Sequence, residues 1–190
     1  SFDEAANGYV RAEGCVVFIL EPLEQAIKKN RHIYAVVQNT AINQDGKTNS
    51  ITMPNGDLQM ELLQKIYTGI DLDEITYIEA HGTGTKVGDK IETNSIGSVL
   101  GQCRTTGPLP IGSVKSVLGH TEATSGLAAL CKIILMMEKR ELLPNQHFQT
   151  PSSNIDWTTL NLKVVTECIP IETDRILMGV NNYGFGGSNF

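Results

Sequence analysis

Apolar segments of strand length alternate along this chain with segments of helical periodicity. Residues 14–20 and 34–42 are short apolar runs rich in β-branched side chains, and each predicts a buried strand. Leu58 and Leu62 recur at helical spacing and predict an amphipathic helix over residues 57–67. Further strands are predicted over residues 75–79, 109–114, 160–165 and 176–181, and further helices over residues 23–30, 89–100 and 121–139. This alternation indicates a layered α/β fold.

Two of the predicted helices carry further detail. Asp89 and Glu92 are spaced as a capping box, so a helix is expected to begin at Asp89 and run to Leu100. Residues 121–139 start with small side chains and continue apolar nearly all round. That pattern is typical of a core helix packed on several sides.

The composition fits one globular domain and argues against two classes of partner. The chain has 190 residues, of which 41% are hydrophobic and 19% charged, which is enough to bury a core. Its net charge of -6 disfavours binding to nucleic acid. The longest apolar stretch, residues 126–137, contains Lys132 and is too short to cross a membrane. The polar start at Ser1 has no features of a secretory signal, which favours the cytoplasm, and both ends look cut.

Neither a metal site nor a disulfide framework is predicted. Four cysteines and four histidines are present, but they form no CxxC, HxxxH or HExxH spacing. Each cysteine is instead expected to be a small buried hydrophobic side chain. The cysteines are Cys15, Cys103, Cys131 and Cys168.

The first candidate for chemistry is residues 79–85 (EAHGTGT), where a glycine-rich turn follows a predicted strand. His81 stands at the strand end, a position where α/β folds expose reactive groups. The glycines allow a ligand to approach closely, and the hydroxyls of Thr83 and Thr85 can hydrogen-bond to a polar acyl carrier arm. The alternative is a structural histidine at a turn. The glycine spacing matches no phosphate-binding loop.

The second candidate repeats this arrangement over residues 112–122. His120 precedes a predicted buried helix, whose N-terminus would disfavour the charged imidazolium. A neutral His120 is suited to donating a hydrogen bond to a carbonyl or enolate oxygen. The alternatives are a core or capping histidine and, for Lys115, an ordinary solvated side chain. The repetition of one arrangement around His81 and His120 favours catalytic histidines.

A third element places Phe185 between glycines after the last predicted strand. A flexible backbone around one aromatic ring suits a gate. The alternative, favoured when this motif is considered alone, is an ordinary tight turn with a core aromatic side chain.

Five motifs lie in order at residues 2–14, 43–49, 79–89, 112–120 and 184–187. Together they resemble the C-terminal portion of a β-ketoacyl synthase domain of a type I fatty acid synthase or polyketide synthase, over essentially the whole chain. The resemblance implies a thiolase-like fold with α-β-α-β-α layers. Residues 1–190 would form the C-terminal half of one domain with part of its N-terminal half, and the part that bears the nucleophile would be absent.

The resemblance also implies a reaction. In this family an upstream cysteine receives an acyl chain from an acyl carrier protein, and two histidines promote decarboxylation of a malonyl-carrier thioester. The resulting carbanion attacks the acyl-cysteine in a Claisen condensation. None of the cysteines here stands in the nucleophile motif, so this chain alone is expected to be inactive.

The motif match assigns roles to six residues. They are catalytic His81, His120 and Lys115, and substrate-binding Thr83, Thr85 and Phe185. The two imidazoles would converge and donate to the thioester oxygen where negative charge develops. The lysine would support the site electrostatically, acting through Glu122. The threonines would contact the phosphopantetheine arm, and the phenylalanine would gate the site.

Three departures from the family pattern affect the walls of the site more than its reacting groups. They are Lys90 in place of proline, Val117-Leu118 in place of an asparagine-bearing turn, and Asn182-Tyr183 in place of Ser-Phe. Residues 57–59, 84–89 and 186–189 resemble animal-type fatty acid synthase, whereas residues 43–49 resemble polyketide synthases. Fatty acid synthesis is the favoured product class.

The resemblance implies partners rather than a directly bound cofactor. Substrates would arrive on the phosphopantetheine of an acyl carrier protein domain, beside other synthase domains, and the complete domain would be a homodimer. Two alternatives remain: a thiolase, disfavoured by the histidine motifs and Lys115, and a degenerate synthase that serves as scaffold or chain-length partner. Expressed alone, the chain would expose the surface that meets the missing half and would be poorly soluble.

Overall fold

The computed structural model describes residues 1–48, 50 and 52–190, so Asn49 of the second motif lies outside the described residues. The helices are α1 (Leu23–Lys28), α2 (Gly56–Ile66), α3 (Lys86–Ile96), α4 (Lys115–Leu118), α5 (Ser125–Lys139) and α6 (Trp157–Leu160). The strands are β1 (Asn43–Gln44), β2 (Ile75–Glu79), β3 (Leu109–Gly112), β4 (Glu141–Leu142), β5 (Leu162–Val164), β6 (Ile169–Pro170), β7 (Leu177–Val180) and β8 (Ser188–Asn189). The remaining elements are 3-10 turns at Leu72–Glu74 and Glu122–Thr124 and a π-helical turn at Gly97–Gly101.

Four parallel strands form the central sheet, in the order β5-β3-β2-β7. Glu79 at the end of β2 is in register with Gly112 of β3 and with Val180 of β7. The carboxyl ends of these three strands therefore meet at one edge of the sheet. The segments that follow them, including the one with His81, come together there, where open α/β sheets commonly place their sites.

Helices pack on both faces of the sheet. On one face, Leu63 of α2 and Ile96 of α3 join Ile78 of β2 in the larger apolar cluster. On the other face, Tyr77 of β2 packs with Met136 of α5. Adjacent strand residues point to opposite faces, which is why Tyr77 and Ile78 serve different clusters. The predicted layered α/β arrangement is confirmed.

Helix α3 begins earlier than the capping pattern predicts. Thr85 is the N-cap residue, and its hydroxyl accepts a hydrogen bond from the Gly88 N–H at 3.2 Å. Asp89 and Glu92 lie inside the helix, where their carboxylates bind backbone amides of other segments. The capping box predicted at Asp89 is therefore wrong, because two acidic residues at this spacing also share one helix face.

Helix α5 is less enclosed than its composition predicts. It begins at Ser125, after the 3-10 turn at Glu122–Thr124. Ala129 and Met136 are buried against the sheet side, but Leu135 is exposed. One face of this apolar helix therefore lacks a partner among the described residues.

The two strands predicted nearest the start of the chain are not strands in the structure. Residues 14–20 and 34–42 form no ladder with any part of the chain that the structure describes. Ile19 is 95% exposed and Val37 is 64% exposed. A strand needs a neighbour to pair with its backbone groups, and an apolar sequence pattern cannot report whether that neighbour is present.

The cysteines also differ from their prediction. Cys15, Cys103 and Cys168 are exposed, and Cys131 is half-buried. The three exposed ones lie outside the helices and strands, where residue type alone does not determine burial.

The described helices all fall short of the length and apolar character of a membrane span. Within residues 1–48, 50 and 52–190, no group of three or more His, Cys, Asp or Glu side chains is arranged to hold a metal ion.

Candidate active site

His81 follows β2, and its turn packs tightly against the end of β3. Gly82 has φ 48°, and a Cβ there would meet the Ser113 Cβ at 2.6 Å. The Ser113 hydroxyl donates a hydrogen bond to the His81 carbonyl at 3.2 Å. A larger residue in place of Gly82 would push the two loops apart, so this glycine allows the close approach that positions the histidine.

Glu92 of α3 holds the backbone of the His81 turn. Its carboxylate accepts hydrogen bonds from the N–H of His81 at 2.7 Å and from the N–H of Gly82 at 2.8 Å. Burial raises the pKa of Glu92 to about 7, although these two backbone donors favour the ionised form. This role of Glu92 was not predicted from the sequence, where its position three residues after Asp89 was the available signal.

Helix α3 also fixes the second half of the turn. Asp89 accepts from the N–H of Gly84 at 2.9 Å and from the N–H of Phe2 at 2.6 Å. The hydroxyls of Thr83 and Thr85 lie 3.1 Å apart, and Thr85 also caps the helix. Thr85 thus has a structural partner, while the contact of both threonines with a carrier arm stays a prediction.

The His81 ring is buried and has an unpaired nitrogen. It is 9% exposed, and its Nδ1 has no hydrogen-bond partner in the described part of the protein. Burial lowers the pKa of His81 well below its usual value, and the nearby Lys115 and His120 lower it further. An unpartnered buried nitrogen is unfavourable in a purely structural histidine, so the geometry favours a ligand-binding role.

His120 is held in a defined tautomer. Its Nδ1 accepts a hydrogen bond from the Glu122 N–H at 3.0 Å, so the proton of the neutral ring lies on Nε2. Its backbone pairs with Val10 O at 2.8 Å and with Ala12 N at 2.9 Å. Burial lowers the pKa of His120, and Lys115 lowers it further. A helix N-terminus was predicted beside His120, and the one found there is that of the 3-10 turn Glu122–Thr124 rather than that of α5.

The structure brings the two imidazoles together. The ring centroids of His81 and His120 lie 5.4 Å apart, with an interplanar angle of 86°. The Tyr183 ring lies 5.6 Å from His81, and the Tyr9 ring lies 4.9 Å from His120. Aromatic side chains therefore flank the pair on both sides. The Tyr9 contact joins distant parts of the sequence, so no local pattern predicted it.

Lys115 is the first residue of α4 and is buried, so the alternative of a solvated side chain is wrong. Burial lowers the pKa of Lys115. Three carboxylates oppose this shift, those of Glu92, Glu79 and Asp89. The expected partner Glu122 instead pairs with Arg11 at 3.5 Å near the surface. The sheet register places the end of β3 beside β2, so Lys115 lies near the carboxylates of β2 and α3. The prediction that Lys115 acts through Glu122 is therefore wrong.

Phe185 lies at the tip of a glycine-rich turn. Gly186 and Gly187 have φ values of 104° and 91°, which favour glycine. The Phe185 side chain is 77% exposed, so the alternative of a core aromatic is wrong. Its predicted role as a gate is not tested by this position and stays a prediction.

The first twelve residues tie the two histidine loops together. The Gly8 N–H donates to the Gly84 carbonyl at 2.8 Å, and Val10 and Ala12 pair with His120. Gly84 has φ 79°, and a Cβ there would meet the Gly8 carbonyl oxygen at 2.7 Å. This contact was not predicted from the sequence, because an irregular segment carries no local sign of where it packs.

Comparison with known families agrees with this geometry. The model of the β-ketoacyl synthase C-terminal domain matches residues 34–149. The chain belongs to this family. A ketosynthase from module 6 of the bacillaene synthase of Bacillus subtilis 168 superposes with a TM-score of 0.94 and 40% identity, over 99% of this chain and 35% of that chain. The predicted thiolase-like fold is therefore confirmed.

Similar proteins of known type are polyketide synthases. Highly-reducing polyketide synthase 1 of Aureobasidium melanogenum is 46% identical over 100% of this chain and 9% of its own length. A phenolphthiocerol/phthiocerol polyketide synthase of Mycobacterium tuberculosis is 44% identical over 100% of this chain and 10% of its own length. This chain thus spans about a tenth of the length of these two relatives.

Proposed function

We propose that this chain supplies the two-histidine half of a condensing site that extends an acyl chain by two carbons from a malonyl-carrier thioester. The malonyl group loses carbon dioxide, and the electron pair of the broken bond passes into the thioester as an enolate. The enolate carbon then attacks an acyl thioester on a cysteine outside this chain. A carbon–carbon bond forms, and the cysteine thiolate leaves.

The observation that carries this proposal is the 5.4 Å separation of the His81 and His120 ring centroids. Each neutral imidazole offers one N–H donor, and rings at this distance can direct both donors at a single oxygen. The enolate oxygen gains negative charge during decarboxylation, so fixed donors stabilise the transition state more than the ground state.

Lys115 supports this role through its charge. Its ammonium is among the groups that lower the pKa of His81 and His120. Both rings therefore stay neutral and keep a donor for the enolate, and the positive charge also favours the negative intermediate.

The substrate-binding residues and partners follow from this reaction. Thr83 and Thr85 would hydrogen-bond to the phosphopantetheine arm of an acyl carrier protein domain, and Phe185 would gate its entry. The chain would bind no cofactor of its own. It would act within a homodimeric, cytoplasmic, multidomain synthase, and the relatives named above favour a polyketide product.

The alternative is a degenerate module that serves as a scaffold or chain-length partner. A scaffold has no need for an unpaired imidazole nitrogen on the buried His81 or for a buried Lys115. It also has no need for Glu92 to hold the His81 turn in place. A thiolase is also less favoured, because Lys115 and the paired histidines together suit decarboxylation.

The test is the release of carbon dioxide from a malonyl-carrier thioester by the full-length protein that contains this chain. His81→Ala and His120→Ala should each lower the rate by about 100-fold or more, since each removes a donor to the enolate oxygen. His147→Asn is the control, because His147 is exposed, has φ 56° and would be replaced by a residue that tolerates this conformation. Parent-like rates in both alanine variants would reject the proposal.

A further inference from the structure

A buried ion pair lies next to the site and has no role in the reaction described above. Glu79, the last residue of β2, is fully buried. Its Oε2 accepts hydrogen bonds from the Lys132 ammonium at 2.7 Å and from the Tyr77 hydroxyl at 2.8 Å. Lys132 also donates to the Tyr77 hydroxyl at 2.8 Å, which closes a triangle of side chains. Removing one partner from such a pair leaves a buried charge without compensation.

The other oxygen of Glu79 contacts the loop that carries Lys115. Oε1 accepts a hydrogen bond from the backbone N–H of Val114, the residue before Lys115. Glu79 stands two residues before His81, and its own carbonyl accepts from the Asn181 N–H at 2.9 Å. This one residue therefore links the ends of β2, β3 and β7 at the edge where the site lies.

Lys132 connects a third part of the site to this carboxylate. It lies on α5, which follows the 3-10 turn that orients His120. Its ammonium pairs with Oε2 of Glu79, while the Val114 amide binds Oε1. Because both oxygens are bound, the carboxylate cannot rotate freely. The position of the Val114 amide thus depends on Lys132 through the Glu79 carboxylate, and that carboxylate is one of the charges that act on Lys115.

We propose that Glu79 and Lys132 are positioning residues for the condensing site, which hold Lys115 in place through the Val114 amide and set the local charge around it. This inference rests on the proposed function. Neither residue is placed against the enolate. Their effect reaches the reaction through Lys115.

The first test compares Lys132→Met with Lys139→Met in the full-length protein. Lys139 is exposed on the same helix and serves as the matched control. We expect Lys132→Met to lower kcat for carbon dioxide release about 10- to 100-fold with KM changed by less than about twofold, because a displaced lysine affects the transition state and not carrier binding. Lys139→Met should match the parent. Lys132→Arg keeps the charge and should restore most of the rate.

The second test separates positioning from folding. The double variant Glu79→Gln/Lys132→Met removes both buried charges, which proteins tolerate better than the loss of one. Glu79 is one of the carboxylates that oppose the lowered pKa of Lys115, whereas Lys132 is not among the groups that shift it, so removing the pair lowers the pKa of Lys115 further. The folded double variant should therefore show a reduced kcat and an alkaline limb of the pH–rate profile that moves toward lower pH.

A merely structural pair would leave the pH–rate profile of a folded variant unmoved. A double variant with parent-like thermal stability, kcat within about twofold of the parent and an unshifted profile would overturn the inference. The proposed function fails in a different way, namely when the parent releases no carbon dioxide or when His81→Ala and His120→Ala leave the rate unchanged.

Discussion

Two regions of the molecule differ in whether their side chains find partners within this chain. They are the carboxyl edge of the central sheet and the segment of residues 14–42. At the edge, buried carboxylates find partners within the chain, as when Glu92 accepts from two backbone amides, and the Nδ1 of His81 is left unpaired. In residues 14–42, Ile19 and Val37 remain exposed and unpaired within the described residues. The chain therefore holds its histidine site through contacts of its own, while the apolar side chains of residues 14–42 have no partner among the described residues.

The largest expected effect follows from removing the Glu92 carboxylate. Glu92→Ala leaves the amides of His81 and Gly82 buried without acceptors. Each unpaired amide should lower the free energy of unfolding by about 1–3 kcal/mol. Denaturant unfolding of a complete ketosynthase domain with this chain should show that loss. Glu61→Ala, an exposed glutamate on α2, is the control and should change stability by less than about 0.5 kcal/mol. Equal effects of the two substitutions would mean that the turn is held by other contacts.

The tie between the N-terminal segment and the His81 turn is tested by two glycines of similar conformation. Gly84 has φ 79°, and a Cβ added there would lie 2.7 Å from the Gly8 carbonyl oxygen, whereas Gly69 has φ 77° with open space around it. Both alanine substitutions carry the same backbone strain, of about 1 kcal/mol. Gly84→Ala should lower the free energy of unfolding by about 1–2 kcal/mol more than Gly69→Ala, because it also displaces the N-terminal segment. Matching unfolding free energies would show that the segment is not tied to the turn.

The neutral state of His81 predicts a pH dependence of stability. Its pKa is lowered on folding, so the stability it contributes is present above the unfolded value of about 6.5 and is lost as the pH falls. Glu92 acts in the opposite direction, because its raised pKa contributes stability below about 4.5 that is lost as the pH rises through about 7. Comparing the parent with His81→Asn isolates the histidine.

The advantage of the parent over His81→Asn should shrink by up to about 1.4 kcal/mol per pH unit below pH 6.5. Unfolding free energies measured over this range provide the check. A difference that stays constant with pH would mean that His81 takes up a proton in the folded protein as readily as in the unfolded one.

The smallest effect on folding is expected on the exposed apolar side. Ile19→Lys should change the stability of this chain by less than about 0.5 kcal/mol, since the side chain has few contacts. It should nevertheless raise the solubility of the chain expressed alone, because it interrupts an apolar patch. Val87→Lys, on the exposed face of α3, is the control and should leave solubility unchanged. Equal solubility of all three proteins would argue against an unpartnered surface over residues 14–42.

The same two regions explain how much the sequence could predict. The pattern correctly placed α2, β2 and β7, because their apolar spacing reports burial against neighbours that lie within this chain. It failed for residues 14–20, where the same kind of pattern stands without a neighbour among the described residues. His81 was predicted from its position at a strand end, and His120 from the same arrangement, although the structure places α4 between His120 and the end of β3. The register of β2 with β3 brings the two loops to one edge of the sheet.

The residues that hold the histidines could not be predicted in the same way. Asp89 and Glu92 matched a capping pattern, but only the three-dimensional arrangement shows that they bind loop amides. Lys132 looked like an interruption of an apolar helix, and its partner Glu79 is 53 residues away in sequence. Such contacts depend on the packing of whole elements, which local patterns do not report.

A double-mutant cycle on His81 and His120 tests most directly whether the two rings act on one oxygen. The rate of carbon dioxide release from a malonyl-carrier thioester would be measured for the parent, His81→Ala, His120→Ala and the double variant. If both rings serve one enolate, the double variant should be little slower than the slower single variant, as for groups that act as a unit. Losses that multiply in full would contradict the account, because they would mean that the two imidazoles act independently.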